Sequence, residues 1–560
     1  MTFTSVFRSL ALLGLLCAGA ALAAGEPAQR PRVGLVLGGG GARGAAHVGV
    51  LETLEKLHVP VDCVAGTSMG ALAAGAFAAG RTPTEMREEL AKADWSDMFQ
   101  DNPSYSEINY RNKATSKRFM PGSETGVGSD GVAYRGGVVA GQKIKLFFNR
   151  LVNADLGERD IESLALPLSI VATDIGTGER VVYRDGSLTM AMRASMSVPG
   201  LLAPVNYRER KLVDGGLVDN LPISEVRERC LADVVIAVNV GSPLMKAEEV
   251  GSLFTVSAQM INILTEQNVN RSLALLQPND IYIKPDLEGI TAGDFQKSSE
   301  TADRGRAAAE AVSARLQALA VSAEEYEAWA KRIAYVRPSP PPVDAVVIDR
   351  LKTVNPAAVE RHLRVKPGDP IDDARVNQDM LRIYGDGWYE SVDYSLINVR
   401  DRNILHVTPV EKSWGTDYLR FGVNLESNFK QDSSYTLRAA YDKTWLNSLG
   451  GELLVVGETG RTSQVAVDLY QPLDARQRYF MEGSLSYGQE TIGFYEDDHK
   501  LADFEQTKGI ASLGAGANVG QLGQVHAGWR QSWLEYDLTT GIPSFIFPER
   551  FEERSTGGYL

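Results

Sequence analysis

The pentapeptide Gly66-Thr67-Ser68-Met69-Gly70 lies between two segments of different character. Residues 61–64 before it are a short apolar run that predicts a buried strand, and the alanine-rich residues 71–79 after it predict a helix. A glycine-bracketed serine between a strand and a helix is the context in which G-x-S-x-G forms a nucleophile elbow. Gly66 and Gly70 would permit the tight turn, and the Ser68 hydroxyl would lie at a helix N-terminus, where N–H groups favour negative charge. Taken alone, the pattern also fits a glycine-rich turn without a catalytic role.

A second glycine-rich segment precedes this one. Residues 33–37 are a continuous apolar run, which predicts a central strand of a parallel sheet, and they lead into Gly38-Gly39-Gly40-Gly41-Ala42-Arg43-Gly44 and a helix over 45–57. The spacing of Gly39, Gly41 and Gly44 also fits a dinucleotide-binding loop. That site needs an acidic residue at the end of a second strand about 20 residues further on, where this chain has the Ser68 pentapeptide instead. We therefore expect the loop N–H groups to face Ser68 and to stabilise an oxyanion.

The rest of the N-terminal half alternates between strand-like and helix-like segments. Strands are predicted over 168–173, 233–240 and 280–283, and helices over 83–93 and 301–319. This alternation is typical of an α/β fold with a mainly parallel sheet. The polar, glycine-rich stretch 95–135 fits a lid over the site and an ordinary long loop equally well.

A nucleophilic serine requires a base, and histidine is scarce here. His47 and His58 are followed by no histidine until His362, so the usual order of serine, acid and histidine is absent from the α/β region. The best carboxylate is Asp214, which an apolar pair carries into the turn Gly215-Gly216. An ordinary aspartate, with a pKa near 4, is a weak base, but desolvation beside a serine would raise that pKa. Two alternatives remain open: Asp214 in a simple Asx-type turn, and His47 as the base.

Three motifs in this order resemble the patatin-like phospholipase family: the glycine loop with Arg43, the Ser68 elbow and the turn at Asp214. Residues 194–200 and 219–222 also resemble bacterial members. The resemblance covers residues 31–320 and implies a three-layer α/β hydrolase, in which Ser68 attacks an acyl ester and Asp214 takes its proton. It implies an oxyanion hole made by Gly39, Gly40 and Gly41. The supporting motif residues are Arg43, Gly44, Gly66, Gly70, Gly215 and Gly216. The implied dyad needs no metal or organic cofactor.

Composition and the first segment indicate the class of protein. The formal charge of −14 over 560 residues argues against nucleic acid as a partner. Residues 1–23 predict a secretory signal, with Arg8 before an apolar core and Ala21-Leu22-Ala23 as the cleavage site. The two cysteines left after cleavage, Cys63 and Cys230, predict neither a disulfide framework nor a metal site. No later apolar run is long enough for a transmembrane helix.

A change of composition marks the second half. Residues 321–342 contain a polyproline segment and predict a linker. Residues 343–413 predict the order β-α-α-β-β, which resembles a POTRA domain, a small α+β module that precedes some outer-membrane barrels. The alternative is an unspecified small α+β domain.

From residue 414 to residue 560 the apolar period changes to two. Leu419, Phe421 and Val423 alternate with Arg420 and Gly422, and segments further on repeat the pattern. This alternation over about 10 residues per strand is typical of a transmembrane β-barrel, although a soluble antiparallel domain with one wet face is the alternative. About seven strands are predicted, whereas the smallest known single-chain barrels have eight. We expect an incomplete barrel, through truncation of the sequence or closure by oligomerisation, and favour truncation.

The order of signal, hydrolase, POTRA-like module and barrel resembles the patatin-like proteins of the type Vd autotransporter class. The resemblance implies an exported phospholipase A that is held in the outer membrane of a Gram-negative-type cell, with its hydrolase domain in the periplasm, on the cell surface or secreted. Its partners would be phospholipid substrate and the lipids around the barrel, and a homodimer is compatible with the family. Two other functions remain open: a barrel-type assembly or translocation protein with a regulatory or inactive hydrolase domain, and a general carboxylesterase.

Overall fold

The computed structural model describes residues 30–120, 124–128, 131–134, 136–152, 158–336, 339, 341–427, 433–496, 499–543 and 548–560. The predicted signal over residues 1–23 lies outside the described residues, as do positions 337, 338 and 340 of the polyproline segment. Within the described ranges, no helix is both long enough and apolar enough to cross a membrane.

Strands and helices alternate through the N-terminal part of the chain. The strands in chain order are β1 (Val33–Leu37), β2 (Cys63–Thr67), β3 (Thr125–Gly128), β4 (Gly131–Ala133), β5 (Gly137–Val139), β6 (Leu168–Asp174), β7 (Arg180–Tyr183), β8 (Gly200–Leu202), β9 (Val205–Tyr207), β10 (Arg210–Asp214), β11 (Val234–Val238) and β12 (Ile281–Ile283). The helices are α1 (Ala46–Lys56), α2 (Met69–Ala78), α3 (Pro83–Lys92), α4 (Trp95–Gln100), α5 (Tyr110–Ser116), α6 (Gln142–Leu151), α7 (Leu188–Ser195), α8 (Ile223–Cys230), α9 (Leu253–Leu273), α10 (Ser298–Ala311), α11 (Ser313–Gln317) and α12 (Ala323–Ile333).

The central sheet of this region has eight strands and is mainly parallel, as predicted. β12, β11, β1, β2 and β6 lie side by side in that order and are all parallel. β10 and β7 pair with β6 in the antiparallel direction, and β9 continues antiparallel beyond β10. The order β2-β6-β10 therefore brings the end of the strand before Ser68 close to the end of the strand that carries Asp214.

Apolar side chains cover both faces of the sheet. Leu35 and Leu37 of β1 belong to a large buried cluster that includes α1, α2 and α7, whereas Val36 packs on the other face with Ile223 and Val226 of α8. Adjacent strand residues point to opposite faces, so helices on both sides produce the expected three layers.

Part of the range predicted as a linker is packed onto this core. α12 lies within residues 321–342, and its Trp329 is buried in the large cluster and donates a hydrogen bond from Nε1 to the carbonyl of Val61 at 3.0 Å. The polyproline composition therefore marks only the residues that follow α12, because the preceding helix contributes an aromatic side chain to the core.

A disulfide joins Cys63 of β2 to Cys230 at the end of α8, with 6.3 Å between the Cα atoms. The expectation that these two cysteines form no disulfide is wrong. Their separation of 167 residues gives no local spacing to recognise, and only the packing of α8 on the sheet face that Cys63 occupies brings them together.

The stretch 95–135, which fits both a lid and an ordinary loop, forms α4, α5, β3 and β4 and runs to the C-terminal sheet. Arg111 makes a bidentate ion pair with Glu452 at 2.8 and 2.9 Å, and the N–H of Met120 donates to the carbonyl of Phe421. This segment therefore connects the α/β unit to the second half of the chain.

The middle unit has the predicted β-α-α-β-β order. It contains β13 (Ala345–Ile348), α13 (Pro356–Glu360), α14 (Asp373–Tyr384), β14 (Tyr389–Val399) and β15 (Arg402–Glu411). β15 lies between the other two strands, parallel to β13 and antiparallel to β14. Val359, Met380 and Leu405 are among the fully buried residues of a separate apolar cluster, so the unit has a core of its own.

The C-terminal region forms a large antiparallel sheet. Its strands are β16 (Asp417–Ser427), β17 (Ser433–Lys443), β18 (Glu452–Gly460), β19 (Thr462–Pro472), β20 (Tyr479–Glu496), β21 (His499–Val519), β22 (Gly523–Thr540) and β23 (Arg550–Tyr559). They pair in chain order, and β3 and β4 extend the sheet beyond β16 to ten strands. This region has eight strands against the predicted seven or so, and the strand expected to begin near Thr556 starts earlier, at Arg550, in a charged stretch without regular alternation. Among the described residues the sheet is open between β4 and β23 and does not close into a barrel.

The disulfide predicts a stability change. Replacing both cysteines, Cys63→Ala with Cys230→Ala, should lower the free energy of unfolding of the α/β unit by about 2–4 kcal/mol, since the cross-link restricts a long loop of the unfolded chain. Urea denaturation followed by circular dichroism measures this. Dithiothreitol should destabilise the wild type by a similar amount and leave the double variant unchanged. A wild type whose unfolding is insensitive to reductant would contradict the disulfide.

Candidate active site

Ser68 occupies a strained turn between β2 and α2. Its backbone has φ 54° and ψ −126°, a region that a residue with a Cβ adopts only at a cost of about 1–3 kcal/mol. The flanking glycines make the turn possible: a Cβ on Gly70 would lie 2.0 Å from the carbonyl oxygen of Leu37, and one on Gly66 would lie 2.5 Å from that of Gly70. The strand, turn and helix predicted for the elbow are therefore present, with the serine at the start of α2.

Asp214 is the last residue of β10, and its side chain meets the serine. Ser68 Oγ donates a hydrogen bond to Asp214 Oδ2 at 2.6 Å, while Asp214 Oδ1 accepts the N–H of Gly216 at 2.7 Å. The second contact is the Asx-type turn that was weighed as the alternative, so one carboxylate has both roles. Each of the two side chains is only 7% exposed. Burial raises the pKa of Asp214 to about 6, against the opposing effect of the hydrogen bonds from Ser68 and Gly216.

The backbone on either side of the pair is held by residues to which the sequence analysis assigned no role. Ser195 Oγ accepts the N–H of Ser68 at 2.8 Å and donates to the carbonyl of Val171 at 2.5 Å. The N–H of Asp214 donates to the carbonyl of Ser197 at 2.9 Å. Both serines lie in the segment 194–200, whose resemblance to bacterial family members was the only signal for them.

The glycine loop lies against Ser68 and is held by Asn220. A Cβ on Gly39 would come within 2.8 Å of the Ser68 Cβ. The N–H of Gly39 donates to both the side-chain and backbone oxygens of Asn220, at 3.2 and 3.3 Å, and the Asn220 amide donates back to the carbonyl of Gly39 at 3.1 Å. Asn220 was missed as a site residue, although the segment 219–222 containing it had been noted for its resemblance.

This contact changes the assignment of the predicted oxyanion donors. Gly39 was expected to contribute its N–H, but that N–H is directed at Asn220. The N–H groups of Gly40 and Gly41 make no hydrogen bond within the part of the chain that the structure describes. Gly41 adopts φ 58°, and a Cβ there would lie 2.4 Å from the carbonyl oxygen of Ala292, so only glycine fits.

Arg43 is buried and organises the loops around the site. Its guanidinium donates to the carbonyls of four residues, Val240, Gly241, Leu287 and Ile290, at 2.8–3.2 Å. Burial lowers the pKa of Arg43 from its ordinary value. These contacts hold together the loops that follow β11 and β12.

The remaining motif glycines allow elements to approach closely. A Cβ on Gly44 would lie 2.5 Å from the Met69 Cβ, and one on Gly215 would lie 2.3 Å from the carbonyl oxygen of Val171. A Cβ on Gly216 would lie 2.9 Å from Asn220 Oδ1. These positions keep the glycine loop and the Asp214 turn packed around the elbow.

His47, the alternative candidate for the base, bonds to the backbone of Gly38 and not to Ser68. It is fully buried, and its Nε2 lies 2.8 Å from the carbonyl oxygen of Gly38, to which it donates. Burial lowers the pKa of His47 to about 4, so the ring is neutral at pH 7. Ser68 Oγ is directed at Asp214, and His47 supports the start of the glycine loop.

A cavity of about 800 Å³ lies away from this site. Its wall includes Arg111 of α5, Arg361 and Trp388 of the middle unit, and Tyr418 and Glu452 of the C-terminal sheet, and it includes neither Ser68 nor Asp214. Among the described residues, no group of three or more His, Cys, Asp or Glu side chains is arranged to hold a metal ion.

Comparison with known proteins finds relatives of the α/β unit. Residues 35–227 match the family model described as patatin-like phospholipase. This part of the chain is similar to patatin-like phospholipase domains. A protein of Caenorhabditis elegans, patatin-like phospholipase domain-containing protein ZK370.4, is 37% identical over 213 residues, which are 38% of this chain and 14% of that protein. Lysophospholipase NTE1 of Meyerozyma guilliermondii is 28% identical over 297 residues, 48% of this chain and 18% of that protein.

The chain thus spans less than a fifth of the length of either relative. Among solved structures, BamA from Haemophilus ducreyi lacking POTRA domains 1-3 is 13% identical with a TM-score of 0.28, over 39% of this chain and 42% of that chain. A likeness of this size supports no conclusion about the C-terminal sheet.

Proposed function

We propose that the patatin-like domain is a lipid acyl hydrolase of the phospholipase A type that uses Ser68 and Asp214 as a catalytic dyad. The observation that carries the proposal is the 2.6 Å hydrogen bond from Ser68 Oγ to Asp214 Oδ2 in a buried elbow. A carboxylate with a pKa raised to about 6 is ionised at pH 7 and is a better base than an ordinary aspartate. The relatives named for phospholipase or lysophospholipase activity support the substrate class.

The proposed reaction proceeds through an acyl-enzyme. Ser68 Oγ attacks the acyl carbonyl carbon while its proton passes to Asp214 Oδ2, and the tetrahedral intermediate expels the alcohol, which takes that proton. Water then attacks the acyl-enzyme, Asp214 accepts the water proton, and the fatty acid leaves as Ser68 recovers its proton. The positive φ of Ser68 directs its hydroxyl out of the turn towards Asp214. No histidine takes part in these steps.

The oxyanion would be stabilised by N–H groups next to the serine. Gly40 and Gly41 follow directly after Gly39, which lies against Ser68, and their N–H groups make no hydrogen bond to any residue that the structure describes. The start of α2 contributes the positive end of a helix dipole at the same point. Asn220 would fix the position of this loop through Gly39.

The same proposal places the chain in an outer membrane through its C-terminal sheet, with the middle unit as a POTRA-like module. Exposed apolar side chains follow one face of neighbouring strands, among them Phe421, Leu437, Val465, Leu485 and Trp529. Isolated exposed apolar side chains are common on soluble proteins, whereas an apolar face that continues across several strands is typical of a surface in contact with lipid. Export would depend on the segment over residues 1–23.

The dyad predicts a specific pattern of activity loss. Ser68→Ala and Asp214→Asn should each reduce phospholipid hydrolysis by about a hundredfold or more, since each removes a group that acts in the transition state. Release of fatty acid from phosphatidylcholine by the purified full chain measures this. His47→Gln should retain far more activity than Asp214→Asn, and the reverse order would reject the dyad. A wild type that cleaves only short soluble esters would favour a carboxylesterase, and an inactive wild type would favour the transport function.

The raised pKa of Asp214 predicts the pH dependence. Because the base acts only when ionised, kcat/KM should rise with pH, reach half its maximum near pH 6 and stay level above about pH 7. Below pH 5 it should fall about tenfold per pH unit. Initial rates on a soluble ester from pH 4 to 8 measure the profile. A midpoint near pH 4, the pKa of His47, would assign the base to the histidine instead.

Membrane insertion predicts losses of stability of different size for two adjacent residues of β20. Leu485 is exposed on the apolar face and Ser486 is half-buried on the other. Leu485→Arg should cost about 2–4 kcal/mol of stability in a bilayer, the usual cost of a lipid-facing arginine near the midplane, while Ser486→Arg should cost much less. Urea unfolding of the full chain in lipid vesicles compares the two. Equal effects, or a wild type extracted from vesicles by carbonate, would reject insertion.

A further inference from the structure

α9 carries an apolar stripe on the surface of the patatin-like domain. Leu253 is 86% exposed, Met260 is 60% exposed, and Val256, Ile263 and Leu264 are between 38% and 45% exposed. At 100° per residue these five side chains fall within an arc of about 100° on one face of the helix. No charged residue occurs from residue 253 to residue 265. The stripe is therefore a continuous, uncharged apolar surface on a long helix.

The neighbouring face of the same helix holds the catalytic turn. Thr265 Oγ1 and Asn268 Nδ2 both donate to the carbonyl of Gly216, at 3.1 and 2.8 Å, and Asn268 Oδ1 accepts the N–H of Asn220 at 2.8 Å. Gly216 in turn donates to Asp214, and Asn220 holds Gly39. Two short chains of hydrogen bonds therefore connect α9 to the base and to the glycine loop.

The first half of α9 also contacts the catalytic edge of the sheet. Gln259 exchanges two hydrogen bonds with the backbone of Met245, in the loop that follows β11. β11 is parallel to β1 and β2, so its carboxyl end lies at the sheet edge where Ser68 follows β2. A partner surface in contact with the stripe would therefore lie at the same edge of the sheet as Ser68.

We propose that the α9 stripe is the surface by which the hydrolase docks onto the lipid layer that holds its substrate. The inference rests on the proposed lipid hydrolysis. A long-chain acyl ester is held in a lipid layer, so it reaches Ser68 most directly if that layer contacts the enzyme at the catalytic edge. An uncharged apolar stripe suits the interface between headgroups and acyl chains, where burial of apolar area stabilises contact. The chain has a formal charge of −14, which repels anionic lipid, and the stripe has no charged residue to offset that repulsion. Zwitterionic phosphatidylcholine is therefore favoured over anionic lipid.

A local fluorescent probe tests the contact. The full chain, with Met260→Cys labelled by a nitrobenzoxadiazole dye and Ser68→Ala to prevent turnover, is kept soluble in an amphipathic polymer and mixed with phosphatidylcholine vesicles. The protein also carries Cys17→Ser, and Cys63 and Cys230 are joined to each other, so the added thiol takes the label. We expect a blue shift and a several-fold rise in emission at position 260.

Leu231→Cys is the matched control, because Leu231 is 67% exposed but precedes β11 and lies at the opposite edge of the sheet. Its label should not change, even when the C-terminal sheet binds the same vesicles. Equal changes at both positions, or none at position 260, would overturn the proposal.

Activity gives an independent readout. The double variant Met260→Glu with Ile263→Glu should reduce hydrolysis of vesicle phosphatidylcholine at least tenfold, while turnover of a short soluble ester stays within about twofold of the wild type. Leu231→Glu should change neither rate. Equal losses on both substrates would indicate a merely structural role and overturn the proposal. If the wild type is a dimer that the double variant splits, and position 260 shows no lipid response, the stripe is a contact between two copies instead.

The two proposals fail separately. The probe experiment uses an inactive serine variant, so it reports docking whether or not the chain hydrolyses lipid. A wild type without any esterase activity would reject the proposed function and leave the fluorescence result standing, whereas an active wild type with a silent probe would reject only the docking surface.

Discussion

The hydrogen bond between Ser68 and Asp214 depends on one feature of the sheet, the order β2-β6-β10. Thr67 is paired with Val171 and Asp214 with Ala172, so two neighbouring residues of β6 set the distance between Ser68 and the Asp214 carboxylate. β2 ends level with Val171, part-way along β6, and the antiparallel β10 ends level with Ala172, so the two strands bring Ser68 and Asp214 to the same point from opposite directions. A carboxylate buried at this point cannot be solvated by water, which raises its pKa, and the contact with the serine hydroxyl compensates part of that cost.

Around this pair, most of the supporting groups are backbone atoms held by a few side chains. Arg43 gathers four carbonyls from two loops, and Asn220 binds Gly39 through both its side chain and its backbone. Such arrangements need residues with several hydrogen-bonding atoms in a fixed geometry, which guanidinium and amide groups provide. They also explain the glycines, since the loops approach one another more closely than any Cβ would allow.

The two halves of the chain are connected by more than a linker. The segment that follows the first helices of the α/β unit adds two strands to the C-terminal sheet and forms ion pairs with it, including Arg111 with Glu452 and Arg118 with Asp468. These ion pairs are partly shielded from solvent, so they are screened less by salt than exposed pairs. The α/β unit and the sheet are therefore in direct contact, in addition to their connection through the middle unit.

The sequence by itself determined the elements that depend on local patterns. Apolar runs and glycine positions were enough to predict β1, β2, the Ser68 elbow, the order of the middle unit and the alternating strands after residue 414. The absence of a histidine between His58 and His362 pointed to Asp214, because the order of residue types along the α/β region can be read directly from the sequence. Contacts between distant segments were decided only by the tertiary structure. The Cys63–Cys230 disulfide, the engagement of the Gly39 N–H by Asn220, the burial of Trp329 and the path of residues 95–135 all join parts of the chain that lack a local signal. Such pairings follow from which helix covers which face of the sheet, and local periodicity carries no information about that choice.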